Sequence, residues 1–135
     1  MLVVGFEDER VDENSTIVKE MQMHHLGGVI LFDRFYTDKT RIKNIRSPKQ
    51  LQGLTQQLKH FSLKPLLISI DQEGGRVARL KPRDGFEETA SAFALSRQPQ
   101  HVAKTAYEKM ALMLSTQGIN CNFAPVVDLA RNEKN

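Results

Sequence analysis

Apolar positions along the chain follow two rhythms. Short unbroken runs occur at Leu2-Val3-Val4-Gly5-Phe6, Gly28-Val29-Ile30-Leu31-Phe32 and Leu66 to Ile70, and each predicts a buried strand. Helical spacing separates them. After a cap at Asn14-Ser15, Ile17, Met21 and His24 or His25 fall on one face, and Leu26-Gly27 predicts a left-handed glycine stop. Ser47-Pro48-Lys49-Gln50 combines a serine cap, proline at the first helical position and glutamine three residues after the cap. Leu51, Leu54, Leu58 and Phe61 then form the stripe of a second helix. Pro99 opens a third, with Ala103, Tyr107, Met110 and Leu114 on one face and Gly118 at its end. The segment 119–129 contains a fourth strand with Pro125 near its end. Polar, basic residues 33–47 read as a loop over a strand end. Residues 71–97 form a long connection, and long ordered loops are usually functional.

Strands alternating with amphipathic helices predict an α/β fold with parallel pairing. Four such units fit a small open sheet or half of an eight-stranded barrel, since a whole barrel takes about 250 residues. The pattern leaves both open.

Composition narrows the class rather than the fold. At 135 residues, 40% hydrophobic and 26% charged, the chain is one domain or a piece of one, not a disordered segment. A net charge of +3, with Lys and Arg dispersed, predicts no nucleic-acid partner. No apolar run is long enough to cross a bilayer, so no membrane partner is predicted. Glu7, Asp8 and Glu9 interrupt any secretory h-region, and the single Cys121 excludes an internal disulfide. A cytoplasmic location is the expectation.

Candidate chemistry concentrates in "SIDQEGGRVARL", residues 69–80. Asp71 falls at the carboxyl end of a strand, where working groups sit in parallel α/β folds. Asp71 and Glu73 could be an acid and base pair, about 7 Å apart on an extended chain. They could hold a metal, but no histidine lies near them in sequence. Gly74-Gly75 could cradle phosphate, although neither nucleotide-binding glycine spacing is present. Against these stands the plain reading that Asp71, Glu73, Arg76 and Arg79 are ion pairs pinning the loop.

The stretch "PLLISIDQEGGRVARL" resembles the signature of the glycoside hydrolase family 3 β-N-acetylglucosaminidases. "LVVGF" at 2–6, "GGVILF" at 27–32, "GF" with "SAFAL" within 85–95 and "GINCNFAPVVDL" at 118–129 agree in order. Ala90 departs from the proline that many relatives carry. The resemblance implies a (β/α)8 TIM-type barrel, with residues 1–135 as its first half, about four βα units, and the remainder absent. It implies removal of terminal β-linked N-acetylglucosamine with retention, through a glycosyl-aspartate, without a cofactor or metal. In Gram-negative relatives the substrate is a recycled cell-wall fragment. It implies that Asp71 and Arg79 bind the −1 sugar, while Glu73 and Arg76 brace the loop. The nucleophile and acid/base pair of the family lie beyond Asn135, so no catalytic residue is assigned here, and Asp128 is read as structural.

Three further expectations follow. The partner is an N-acetylglucosamine-containing saccharide. The chain self-associates or pairs with the missing barrel half, because a cut barrel leaves sheet edges. On its own it hydrolyses nothing. The rival readings are a non-catalytic carbohydrate-binding or regulatory half-barrel, and an unrelated phosphate-handling protein. His24, His25, His60 and His101 are read as surface or packing residues. Cys121 is read as a small apolar strand residue, and Met21, Met23, Met110 and Met113 as core and flank.

Overall fold

The computed structural model of the chain describes residues 2–127. Four strands, β1 (Val3–Gly5), β2 (Gly28–Leu31), β3 (Leu67–Ile70) and β4 (Cys121–Asn122), form one sheet in the order β1-β2-β3-β4. All three pairings are parallel. A doubly wound sheet reverses its strand order at a switch point. The described strands step in one direction only, as in a (β/α)8-type barrel, of which they are four.

The helices α1 (Thr16–His24), α2 (Pro48–Phe61), α3 (Ala92–Leu95) and α4 (Gln100–Thr116) lie between the strands. A 3-10 turn at Pro82–Asp84 precedes α3 within the long connection. The start of α2 is built as its sequence suggests: Ser47 Oγ accepts the Gln50 N–H at 3.3 Å, and proline occupies the first turn. Gln50 does not reach back to Ser47. Its carboxamide accepts from Arg46 N at 2.8 Å and donates to Glu9 O at 2.6 Å and Asn44 O at 3.0 Å, so the cap also ties down two loops.

The end of α1 differs from expectation. The left-handed residue is His25, at φ 49° and ψ 49°, not Gly27. The helix stops two residues early because Gly27 and Gly28 are already in β-type pairing, both donating to Leu2 O. His24 and His25 therefore leave the apolar face, which is Ile17, Val18 and Met21. His60 and His101 are exposed as well.

Val29, Leu31, Ile68 and Ile70 belong to one buried cluster with Ile17, Met21, Leu51, Leu54, Leu58, Met110 and Leu114. Strand alternation thus puts one face of the sheet against the helices. A fully buried leucine such as Leu54 contributes about 2–3 kcal/mol by removal from water. The opposite row is Gly5, Ile30, Ser69 and Cys121, paired in register. It is the row that faces a barrel interior.

β4 is only two residues long, and side chains extend its hold on β3. The Asn120 carboxamide accepts from Ile68 N at 2.8 Å and donates to Leu66 O at 2.9 Å. That of Asn122 accepts from Gln72 N and donates to Gln72 O, both at 3.0 Å. Asn44, fully buried, does the same across β1 and β2: it donates to Phe6 O and Asp8 O and accepts from Phe32 N. Carboxamides carry both a donor and an acceptor, as a peptide group does, so they continue a ladder where strands diverge. Asp128 lies outside the described residues, as does the end of the segment 119–129.

Candidate functional site

Asp71 is the first residue past β3, at the carboxyl edge of the sheet. Its position continues the alternation of Ser69, in the row that includes Ile30 and Gly5. Phe32, just past β2, shares that side, since a Cβ at Gly5 would touch its ring at 3.9 Å. Arg79 closes the group. Its Nη2 donates to Asp71 Oδ2 at 2.8 Å, and its guanidinium lies 5.3 Å from the Phe32 ring centroid. The two charged side chains keep 24% and 25% of their surface exposed. Arg79 Nε is buried and has no hydrogen-bond partner among the described residues. A guanidinium has five N–H donors and a carboxylate about four acceptor sites, so one bond leaves the pair with capacity for a ligand.

Between the two, the chain makes a tight excursion. Glu73 N and Gly74 N both donate to Val77 O, at 2.9 and 3.1 Å. Gly74 and Gly75 have φ of 90° and 60°, where an L side chain is strained. Space also forbids one: a Cβ at Gly74 would lie 2.0 Å from Ala90 O, and one at Gly75 would lie 2.8 Å from Ser91 Cβ. The glycines let the segment at 89–91 pack directly on the turn, sealed by Gly75 N donating to Thr89 O at 2.8 Å. Those amides are engaged internally, which removes the phosphate-cradle reading. Arg76 is exposed, and backbone bonds and the glycine seat supply the bracing expected of it. Asp71 is paired with Arg79.

Gln72 was not singled out by the sequence reading, yet it is fully buried at the centre. Its Oε1 accepts from Arg79 N at 2.7 Å and Leu80 N at 2.9 Å. Its Nε2 donates to Leu80 O at 3.2 Å and Thr89 Oγ1 at 2.9 Å. A polar residue two positions past an apolar strand was the available signal.

A second charged group adjoins the first and was also missed. Asp33, 3% exposed, accepts Lys81 Nζ at 2.6 Å and Arg83 Nη2 at 3.3 Å. Arg34 Nη2 pairs with Asp84 Oδ1 at 2.7 Å, and its Nη1 donates to Asp33 O and Ile45 O. Asp84 Oδ2 has no hydrogen bond among the described residues, with Arg83 Nε 3.6 Å away. Among the described residues no three His, Cys, Asp or Glu side chains gather as metal ligands do.

The glycosyl hydrolase family 3 N-terminal domain model matches residues 1–135. The chain is 36% identical over 138 residues to a beta-hexosaminidase of Alkalilimnicola ehrlichii, covering 96% of this chain and 36% of that one. It is 32% identical to a beta-hexosaminidase of Actinobacillus pleuropneumoniae serotype 5b, covering 99% of this chain and 37% of that protein. The chain therefore spans little more than a third of the length of these curated relatives. Among solved structures, a glycoside hydrolase family 3 beta-N-acetylglucosaminidase from Paenibacillus sp. str. FPU-7 superimposes with TM-score 0.81 at 31% identity, over 96% of this chain and 23% of that one. NagZ from Neisseria gonorrhoeae, in complex with N-trifluoroacetyl-D-glucosamine, gives TM-score 0.74 at 28% identity, over 95% of this chain and 36% of its own.

Proposed function

This chain belongs to glycosyl hydrolase family 3, and we propose that it supplies one wall of the saccharide site of a retaining β-N-acetylglucosaminidase. The observation that carries the reading is the half-open Asp71–Arg79 pair at the carboxyl end of β3. Asp71 accepts hydrogen bonds from neighbouring hydroxyls of a terminal N-acetylglucosamine, and Arg79 donates to the same sugar. Charged groups suit this, because their hydrogen bonds are about twice as strong as neutral ones. Phe32 forms an apolar side of the same space.

The chemistry itself belongs elsewhere in this reading. Retaining hydrolysis takes a nucleophilic carboxylate and a proton donor about 5–5.5 Å apart, flanking the anomeric carbon. Asp71 is tied to Arg79, and the family resemblance implies that the reacting groups lie past residue 135. Residues 1–135 thus act as the amino-terminal portion of a barrel whose other part pairs with the edges of β1 and β4. A cytoplasmic place and cell-wall fragments as the saccharide source belong to the same proposal. The single, half-buried thiol of Cys121 is compatible with a reducing compartment.

The test is hydrolysis of a chromogenic aryl β-N-acetylglucosaminide. A chain joining this segment to the rest of the family's barrel turns it over and discriminates against the corresponding β-glucoside, while residues 1–135 alone do not. Turnover by residues 1–135 alone would place the reacting carboxylates within this segment and overturn the division of roles.

A further inference from the structure

We propose that Gln72 is the positioning residue of the site: its carboxamide sets where Arg79 stands relative to Asp71, and so the spacing at which the pair meets a sugar. This rests on the reading of Asp71 and Arg79 as sugar-binding groups. Gln72 touches no ligand in the proposal. It acts through Arg79.

Asp71 and Arg79 are eight residues apart, and the intervening turn carries Gly74 and Gly75, the residue type with most backbone freedom to lose on ordering. An excursion of that kind does not return its last residue to a fixed place unless something holds it. The return segment is 79–80, and none of the described strands pairs with it. Gln72 does so instead. Its single Oε1 accepts the N–H groups of Arg79 and Leu80, and its Nε2 donates to the Leu80 carbonyl, the three bonds lying between 2.7 and 3.2 Å. A side chain thus does the work of a partner strand for two residues. The backbone of Gln72 is itself fixed by Asn122 from β4, and its remaining N–H ties Thr89 of the next loop. With no exposed surface, the carboxamide has no water to exchange these bonds with.

The position of Arg79 matters because its side chain is only partly held. One bond to Asp71 and the face of Phe32 orient it, while Nε has no hydrogen-bond partner among the described residues. Moving its Cα moves the guanidinium, and the guanidinium is what meets the sugar.

The experiment uses two variants that separate length from hydrogen-bonding type. Gln72→Asn keeps the carboxamide but is one methylene shorter, so its oxygen falls short of Arg79 N and Leu80 N. Gln72→Glu keeps the reach and the two acceptor bonds but gives up the donations to Leu80 O and Thr89 Oγ1. In the 135-residue chain, the Arg79 Nε–H resonance is read by 1H–15N NMR, with Asp71→Asn to identify it and Asn122→Ala as a control that weakens the same hub from behind. Gln72→Asn should move the Arg79 signal toward its position in Asp71→Asn. Gln72→Glu and Asn122→Ala, which loosen the hub without withdrawing the acceptor from Arg79 N, should move it less. An unmoved signal in Gln72→Asn overturns the proposal, and so does equal movement in all three.

In the hydrolytically competent protein, Gln72→Asn should lower kcat/KM about tenfold, as expected for displaced charged hydrogen bonds. It should cause no further loss in an Arg79→Ala background, because its effect passes through that side chain. Additive losses would overturn the positioning role. An Arg79→Ala protein with wild-type kinetics would instead sink the sugar-binding reading, leaving the NMR result to stand or fall by itself.

Discussion

Two acid–base groups sit side by side at the carboxyl edge of the sheet, and they are built differently. Arg34 and Asp84 keep only 11% and 7% of their side-chain surface exposed. Arg34 satisfies itself further on two backbone carbonyls, and Asp33 beside it holds two cations. Asp71 and Arg79 meet through one oxygen and one nitrogen, at about a quarter exposure each. The Arg34–Asp84 pair is closed to solvent and joins the β2 loop to the segment at 81–84, while Lys81 and Arg83 beside it stay partly exposed. The second is open toward the row of side chains that faces a barrel interior. A closed pair holds loops together, whereas an open pair can exchange water for a ligand.

The comparison breaks most sharply at Arg34. Arg34→Ala leaves the buried Asp84 with only Arg83, 3.6 Å away, and should cost about 3 kcal/mol of stability, read as a shift of the urea midpoint. Replacing both members, Arg34→Met with Asp84→Leu, should recover most of that loss, because the buried pair itself contributes little beyond an apolar substitute. If the double variant is as unstable as the single one, the closed group is more than a loop fastening.

Asp71→Ala should do the reverse. On the proposed saccharide-binding role, losing two hydrogen bonds to a charged group at roughly 1.5–3 kcal/mol each means a fall in kcat/KM of about a hundredfold or more in the hydrolytically competent protein. Its thermal midpoint should move far less than that of Arg34→Ala. Kinetics within threefold of the parent would remove Asp71 from the site.

Phe32→Leu sharpens the open side. It removes the ring beneath the Arg79 guanidinium while keeping an apolar side chain. A loss of about 0.5–1 kcal/mol corresponds to a two- to fivefold weakening of substrate binding, seen in KM.

Arg46 provides the smallest effect. It meets Glu9 through two hydrogen bonds of 2.6 and 2.7 Å, but in solvent. The pair raises the Arg46 pKa through hydrogen bonding and charge, yet Arg46→Ala should leave the unfolding midpoint unresolved from the parent. A clear shift there would mean that short distance, rather than burial, sets which pairs matter.

Much of the scaffold was legible because its signals are local. The runs at Gly28–Leu31 and Leu67–Ile70, the Ser47-Pro48 helix start and the 3.6-residue stripe of Leu51, Leu54 and Leu58 are each read within a few residues. Asp71 was legible for the same reason, as a carboxylate ending an apolar strand. Arg79 came through the family resemblance, and the structure joins the two at 2.8 Å. What escaped was nonlocal. Asn44 reaches Phe6, Asn122 reaches Gln72, and Arg34 reaches Asp84 across 38, 50 and 50 positions. A buried carboxamide looks like any loop polar residue until the fold brings its partners to it. The left-handed position went to His25 rather than Gly27 because pairing of Gly27 and Gly28 with Leu2 outweighed glycine's local preference.

The carboxamide hold of β4 on β3 has a consequence for hydrogen exchange. The amides of Ile68 and Gln72 are protected by Asn120 and Asn122, whose side chains leave with β4. These two protons, in and just after the third strand, should therefore exchange at the rate at which the fourth detaches. Asn120→Ala should release Ile68 alone and Asn122→Ala should release Gln72 alone, so that two labelled protons time the docking of a strand to which neither belongs.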